Sequence, residues 1–426
     1  MKETRSRGLA ALLAALALLA WVAALFFAQR AADFSAGVSI RWTGEGAGVS
    51  PAQLLQAERW AREDGRENPP AATLWQEKAD RSVTDETGER AAAATHLECY
   101  GDAAEFYPDI LLFGSYPSRE DAAGCVIDEA VASGIWGSAS VVGQRLKLDG
   151  RTYSVRGVFK GDSGLILTQG EGDSAQTYEN LLLRLPDGGG ETEARAWLSQ
   201  NGFSGGEVLD LPFLSWCLGA LSCLPALLLG LGLLLRVLRR GWKLKYSPVL
   251  LAQYIPIGIA FGALALWGMG FPWDLPDKVI PTRWSDFDFW SRLAGQVSAS
   301  LRAVFTSALS ARDIAIWPAF LACVLTTAAA CALVILAAER VRVDSGGTLL
   351  AAGLGAMVAT FLLAAAFSAV GGVELTRSVW VLPLIWLAAD GALRVHERRL
   401  RPRTEERSEC REALPEAVRE TSLGGE

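Results

Sequence analysis

The sequence predicts a multi-pass α-helical membrane protein with an inserted α+β extracytoplasmic domain, and three observations carry that prediction. Of the 426 residues, 51% are hydrophobic and only 20% charged, too apolar for a water-soluble chain of this length and too polar for a bare helical bundle. Apolar runs and one long polar block separate along the chain. Lys and Arg gather at particular ends of the runs, which fixes an orientation.

Three cations, Lys2, Arg5 and Arg7, precede an apolar run from Gly8 to Ala28 that closes at Gln29 and Arg30. At about 1.5 Å per residue the run crosses roughly 30 Å of hydrocarbon. It is longer than the apolar core of a cleaved signal peptide, so residues 1–30 read as an uncleaved anchor, with the cleaved peptide as the competing reading. Residues 31–210 follow as one polar block of domain size. Apolar runs return at 211–235, 249–271, 314–338, 349–370 and, more weakly, 379–395, which holds Pro383 and Asp390. Residues 211–395 thus read as a five-span region and 396–426 as a charged tail.

With six spans the head, the loop Arg236, Arg239, Arg240, Lys243, Lys245, the pair Arg340 and Arg342, and the tail arginines share one side of the membrane. Both termini are then cytoplasmic in a cell membrane, and residues 31–210 face outward. Trp216, Trp267, Trp290, Trp317 and Trp380 stand near span ends, where indole prefers the headgroup layer.

The outer block carries fifteen basic and twenty-nine acidic residues, a net charge of −14. That is a solvated surface, or a face for a cationic ligand, though no localised cluster favours the second. Helical spacing runs from Gln53 to Arg62, and a connector with Gly65 and a Pro-Pro pair follows. Gln144–Leu148, Thr152–Phe159 and Leu165–Gln169 alternate as strands, the first two joined by Asp149-Gly150, the best hairpin signal in the chain. Asn180 to Leu185 adds a strand, and Glu191 to Asn201 a helix stopped by Gly202.

Within this block, Cys125-Val-Ile-Asp-Glu-Ala-Val-Ala-Ser-Gly-Ile-Trp-Gly137 and Val142-Gly143 through Asp149-Gly150 to Gly157-Val158 resemble the periplasmic core domain of MacB-like (FtsX-like) ABC transporter permeases. The likeness covers residues 100–165 best and the rest of 31–210 loosely. It implies a bacterial permease subunit whose outer domain is inserted between the first and second spans, with a separate ABC ATPase as partner. Gly137, Gly143, Gly150 and Gly157 would be its turn or bulge positions, where a Cβ is unwelcome. The chain departs from the family in having six apolar runs where MacB-like permeases have four spans, and in lacking a basic-Glu-Ile-Gly coupling segment.

Cys99 and Cys125 are the two cysteines of the outer block. They suggest a disulfide closing a loop of roughly 25 residues, worth on the order of 3 kcal/mol, against two buried thiols that never meet. Residues 284–312 read as an outer amphipathic segment, with Ser285 and Asp288 as a capping box. It is either a lever between outer domain and spans or a helix packed on the bundle. Asp390 is an intramembrane carboxylate one turn from Arg394, either functional or paired there. The Arg236 to Lys245 cluster would dock a cytoplasmic ATPase, or serve topology and anionic lipid.

There is no Gly-x-x-x-x-Gly-Lys-Ser/Thr loop, nucleophile elbow or metal spacing, so the reading is of a non-enzyme without cofactors. Its partners are the lipid bilayer, a separate ABC ATPase or a cell-envelope protein; the acidic balance speaks against nucleic acid. A membrane scaffold or sensor is the alternative to the permease subunit.

Overall fold

A computed structural model of the chain describes residues 2–412 apart from 45, 66, 175, 187–188, 244–247, 270–275, 277–278, 281–287, 307–309, 342–344 and 372–373. The chain divides into two compact units: Phe27–Gly219 with Pro272–Cys323, and Met1–Phe26 with Ala220–Phe271 and Val324–Glu426.

The first unit is built on ten strands and short helices. In chain order they are the end of α1 (Lys2–Phe34), β1 (Val38–Arg41), α2 (Pro51–Glu63), β2 (Ala71–Asp85), β3 (Ala91–Tyr100), α3 (Ala103–Phe106), β4 (Leu111–Gly114), β5 (Gly124–Asp128), α4 (Glu129–Trp136), β6 (Arg145–Leu148), β7 (Arg151–Phe159), β8 (Leu165–Gln169), β9 (Asn180–Arg184), α5 (Glu191–Gln200), β10 (Glu207–Leu209) and α6 (Leu211–Ser222). Six strands pair in a closed circuit: β2 with β3, β3 with β8, β8 with β5, β5 with β7, β7 with β6, and β6 back to β2. Closure leaves few free edges. An open wing, β9, β1 and β10, extends from the first half of β2, and β4 adds to β7.

Period-two alternation gives the sheet two apolar faces. Val83, Ala94, Cys125, Ile127, Leu146, Val155 and Ile166 form one core, sealed by Val131, Ala132 and Ile135 of α4. Trp75, Leu97, Cys99, Val126, Leu165 and Leu167 point into another, with Phe34, Phe106 and Tyr107. The wing packs Val38, Ile40, Leu74 and Leu181 under Leu54 of α2 and Trp197 of α5.

Local chemistry explains the joints. Asp149 (φ 49°) and Gly150 (φ 79°) both take positive φ, the two-residue turn whose twist matches its strands. Ser50 and Gln53 form a capping box that starts α2. Asp128 caps α4 at Val131 N (2.9 Å) and also receives Leu165 N (3.0 Å), tying the helix to β8.

The second unit holds the first part of α1, α7 (Leu224–Lys243), α8 (Pro248–Met269), the later part of α10 (Ala311–Arg340), α11 (Gly346–Gly371) and α12 (Arg377–Glu412). Pro225, with no N–H to give, follows the break at Cys223 that separates α6 from α7. Trp21, Val22, Leu25, Ala226, Leu233, Leu382 and Ile385 are among its buried residues.

Among the described residues, the six predicted apolar runs lie in helices, the second of them divided at Cys223. Among the described residues four stretches are long and apolar enough to cross a membrane, Gly8–Phe34, Leu211–Trp242, Ile316–Arg340 and Gly346–Ala369, and Tyr254–Met269 is a shorter apolar helix. The 379–395 run is continuous with a charged extension inside the 36-residue α12. Of the predicted amphipathic segment, α9 (Phe289–Thr306) is helical, whereas Ser285 and most of the proposed capping box lie outside the described residues.

Candidate functional site

The end of α1 and the first turns of α10 meet the sheet-bearing unit at one place. A helix leaves its last carbonyl groups without intrahelical partners. At the end of α1 the Phe34 carbonyl accepts from Arg312 Nη2 at 2.7 Å, and Arg312 Nε donates to the Phe106 carbonyl at 3.1 Å. Arg312 is 1% exposed, and its guanidinium lies 5.6 Å from the Phe106 ring centroid. A cation at a helix C-terminus also meets the negative end of its dipole.

One turn earlier, Arg30 Nη2 reaches Asp109 Oδ1 at 2.6 Å. The segment carrying Asp109 is itself held. The Tyr116 hydroxyl donates to the Tyr107 carbonyl (2.7 Å) and accepts from Asp109 N–H (3.1 Å), and burial pushes this phenol up to about 12. Phe34 meets Tyr107 edge-on at 5.4 Å, and Tyr107 leans on Phe159 at 5.5 Å. Two helix ends are therefore fastened to one corner of the sheet by charge-assisted bonds in a water-poor setting. Among the described residues no group of His, Cys, Asp or Glu there could hold a metal ion.

A second buried polar group lies on β3. His96 Nε2 is 2.7 Å from Thr168 Oγ1, and burial lowers the imidazole to about 4, against the opposing pull of Glu98. Glu98 accepts from Gln76 Nε2 (2.6 Å), Lys78 Nζ (3.1 Å) and the Tyr178 hydroxyl (3.3 Å). Burial works to raise its carboxyl, yet Lys78 and these bonds hold it below the usual carboxylate range.

In the helical unit, Arg236 turns toward Asp390 (3.6 Å) and rests 4.6 Å over the Trp386 ring. Arg394 Nε meets the same carboxylate at 2.8 Å. Asp390 therefore has two cationic partners, where one turn of spacing suggested only Arg394. Arg239 is exposed and Arg240 half-buried on α7, and Lys243 is the last residue of that helix. Lys245 lies outside the described residues.

The expected disulfide is absent: Cys99 and Cys125 are both free and buried. β8 runs between β3 and β5, pairing Cys99 with Gln169 and Cys125 with Thr168. Two strand spacings of about 4.8 Å exceed the roughly 7 Å that a disulfide spans. The two thiols also belong to opposite faces of the sheet, and burial raises both well above the usual thiol range.

Of the four glycines singled out, Gly137 ends α4 at φ 72°, and Gly143 and Gly150 also have positive φ. Gly157 adjoins the irregularity between β5 and β7, where a Cβ would come 2.9 Å from the Ser115 carbonyl oxygen.

Sequence reasoning missed Arg312 and Asp109. Arg312 was visible only as a cation just before an apolar run, and its partners lie 278 and 206 residues away.

No family model matches the chain, and no curated protein matches it. Among solved structures, the chain is similar to the periplasmic region of MacB from Actinobacillus actinomycetemcomitans, at 12% identity and a TM-score of 0.34, over 42% of this chain and 89% of that one. It is also similar to the extracellular domain of the noncanonic ABC-type transporter YknZ from Gram-positive bacteria, at 13% identity and a TM-score of 0.31, over 41% of this chain and 99% of that one. In architecture, this is an α-helical membrane protein carrying an inserted α+β domain.

Proposed function

We propose that the chain is a permease-like subunit of an ABC-type system that passes conformational change between residues 31–210, outside the cell, and a separate cytoplasmic ATPase. In this reading both termini are cytoplasmic and six helices cross the membrane. The observation that carries it is the junction of Arg312 and Arg30, because long apolar helices end there on the fold of the α+β domain. A domain that only bound a partner would need no such fastening of two helix ends.

Pull-down of the intact protein in mild detergent, followed by mass spectrometry, tests the reading. Recovery of a P-loop ATPase is expected, and its stimulated turnover should fall about tenfold with Arg312→Gln while the complex persists. Recovery of envelope proteins alone would overturn the proposal.

One observation favours the second reading, a scaffold or sensor that binds an envelope partner. Arg236, the first cation of the proposed docking cluster, is engaged with Asp390 and Trp386. If Arg239→Gln with Arg240→Gln leaves ATPase recovery unchanged, the cluster serves topology rather than docking.

A further inference from the structure

The helical unit contains an opening of about 1280 Å³ that its own side chains leave unfilled. It is walled by α1, α7, α10, α11 and α12, and extends from Leu9 to Trp21 along α1 and from Thr348 to Ala359 along α11. At about 1.5 Å per residue these stretches measure roughly 17 Å, close to the ~15 Å of half a bilayer's hydrocarbon. Phe26 and Phe367 meet at 5.1 Å beyond the far end, so α1 and α11 run side by side in the same direction. The opening has the depth of one leaflet.

Its lining changes character along that depth. Ala10, Ala14 and Ala17 line it on α1, and Ala352, Ala356 and Ala359 on α11. These short side chains leave room that leucines would fill. Toward the Leu9 end it reaches Glu339, Arg340 and Thr348. Arg340 is exposed there, and the first turn of α11 adds a positive helix end. One end thus holds the guanidinium of Arg340 beside Glu339, and the other is apolar.

Three occupants compete for such a space. Water is a poor one along the alanine walls, since apolar space stays dry. A spanning helix is about 30 Å long, nearly twice the depth of the opening. A hydrocarbon chain one leaflet deep, with an anionic head, fits both length and polarity.

We infer that the opening binds a phospholipid of the surrounding bilayer, its acyl chain between the alanine walls of α1 and α11 and its phosphate at Arg340 and the start of α11. The site is independent of whether an ATPase couples to the chain.

The test uses the full chain in nanodiscs doped with phosphatidylglycerol that carries a photoactivatable acyl chain. Crosslinks are expected in the peptides holding residues 10–17 and 352–359. Unlabelled phosphatidylglycerol should compete about tenfold better than phosphatidylcholine, and Arg340→Gln should erase that preference. Ala14→Phe with Ala356→Phe should remove these crosslinks and leave those to the exposed Leu354 and Phe361 of α11 unchanged. Equal labelling of all apolar faces, or no preference between the two competitors on the unmodified protein, would overturn the inference. So would efficient crosslinking of two Ala352→Cys copies, which would put a second chain in the opening.

Discussion

The two units place equally apolar side chains in opposite circumstances. In the sheet-bearing unit every residue of β5 is buried, and Val38, Ile40, Leu74 and Leu181 are wholly enclosed. On α11, Leu354 is 62% exposed and Phe361 64%. Water drives the first unit's side chains inward. The second unit's helices satisfy their own backbone and leave leucines outward, which is stable only in hydrocarbon. What "core" means therefore differs between the two, and substitutions should separate them.

The largest contrast is expected between Trp75→Ala and Phe361→Ala. Trp75 is 1% exposed, and its truncation should cost about 3–5 kcal/mol. Loss of the Phe361 ring from a lipid-facing surface should cost less than about 0.5 kcal/mol. Thermal unfolding of the intact protein in detergent reads both, and equal losses would remove the distinction.

Asp390→Ala is next, and sharpens the comparison from the helical side. It strands Arg236 and Arg394, which both face that carboxylate and whose side chains are 35% and 31% exposed, so the loss should be about 3 kcal/mol, the low end for a broken buried pair. Hydrogen exchange should report the loss in α7 and α12 while β3 and β5 keep their protection.

Acid should weaken the sheet-bearing unit through His96. Its imidazole is held at about 4, against a usual 6.5, so between those values the unfolded chain binds a proton that the folded chain refuses. The stabilisation is complete above about 6.5 and is lost as the pH falls toward 4, an effect of up to roughly 3 kcal/mol. His96→Gln should flatten this slope in a melting series from pH 7 to pH 4; an unchanged slope assigns it elsewhere.

The smallest effect concerns the thiols. With Cys99 and Cys125 free, a reductant should shift the melting temperature by less than about 1 °C, whereas a bridge would make its removal worth several kcal/mol. Non-reducing mass spectrometry should find both thiols intact.

Some of this was legible in the residues and some was hidden. The six helical runs were visible because about twenty consecutive apolar residues carry their own signal. The β6–β7 hairpin was visible because Asp149-Gly150 needs no distant partner to turn. The long β2–β3 pair escaped notice. Its alternation is broken between Lys78 and Arg81, where the register shifts and Asp80 takes φ 55°. β3 opens with four alanines, the best helix formers, and is a strand because β2 and β8 claim both of its edges.

By itself, the sequence determined which segments seek hydrocarbon, which block seeks water, and where tight turns fall, since these depend on residue type and on neighbours a few positions away. Tertiary structure alone decided that Cys99 and Cys125 lie on opposite faces, that Arg312 closes the end of α1, and that Arg236 belongs to Asp390. The reason is distance along the chain: these pairings depend on strand order and helix approach, which no local pattern encodes.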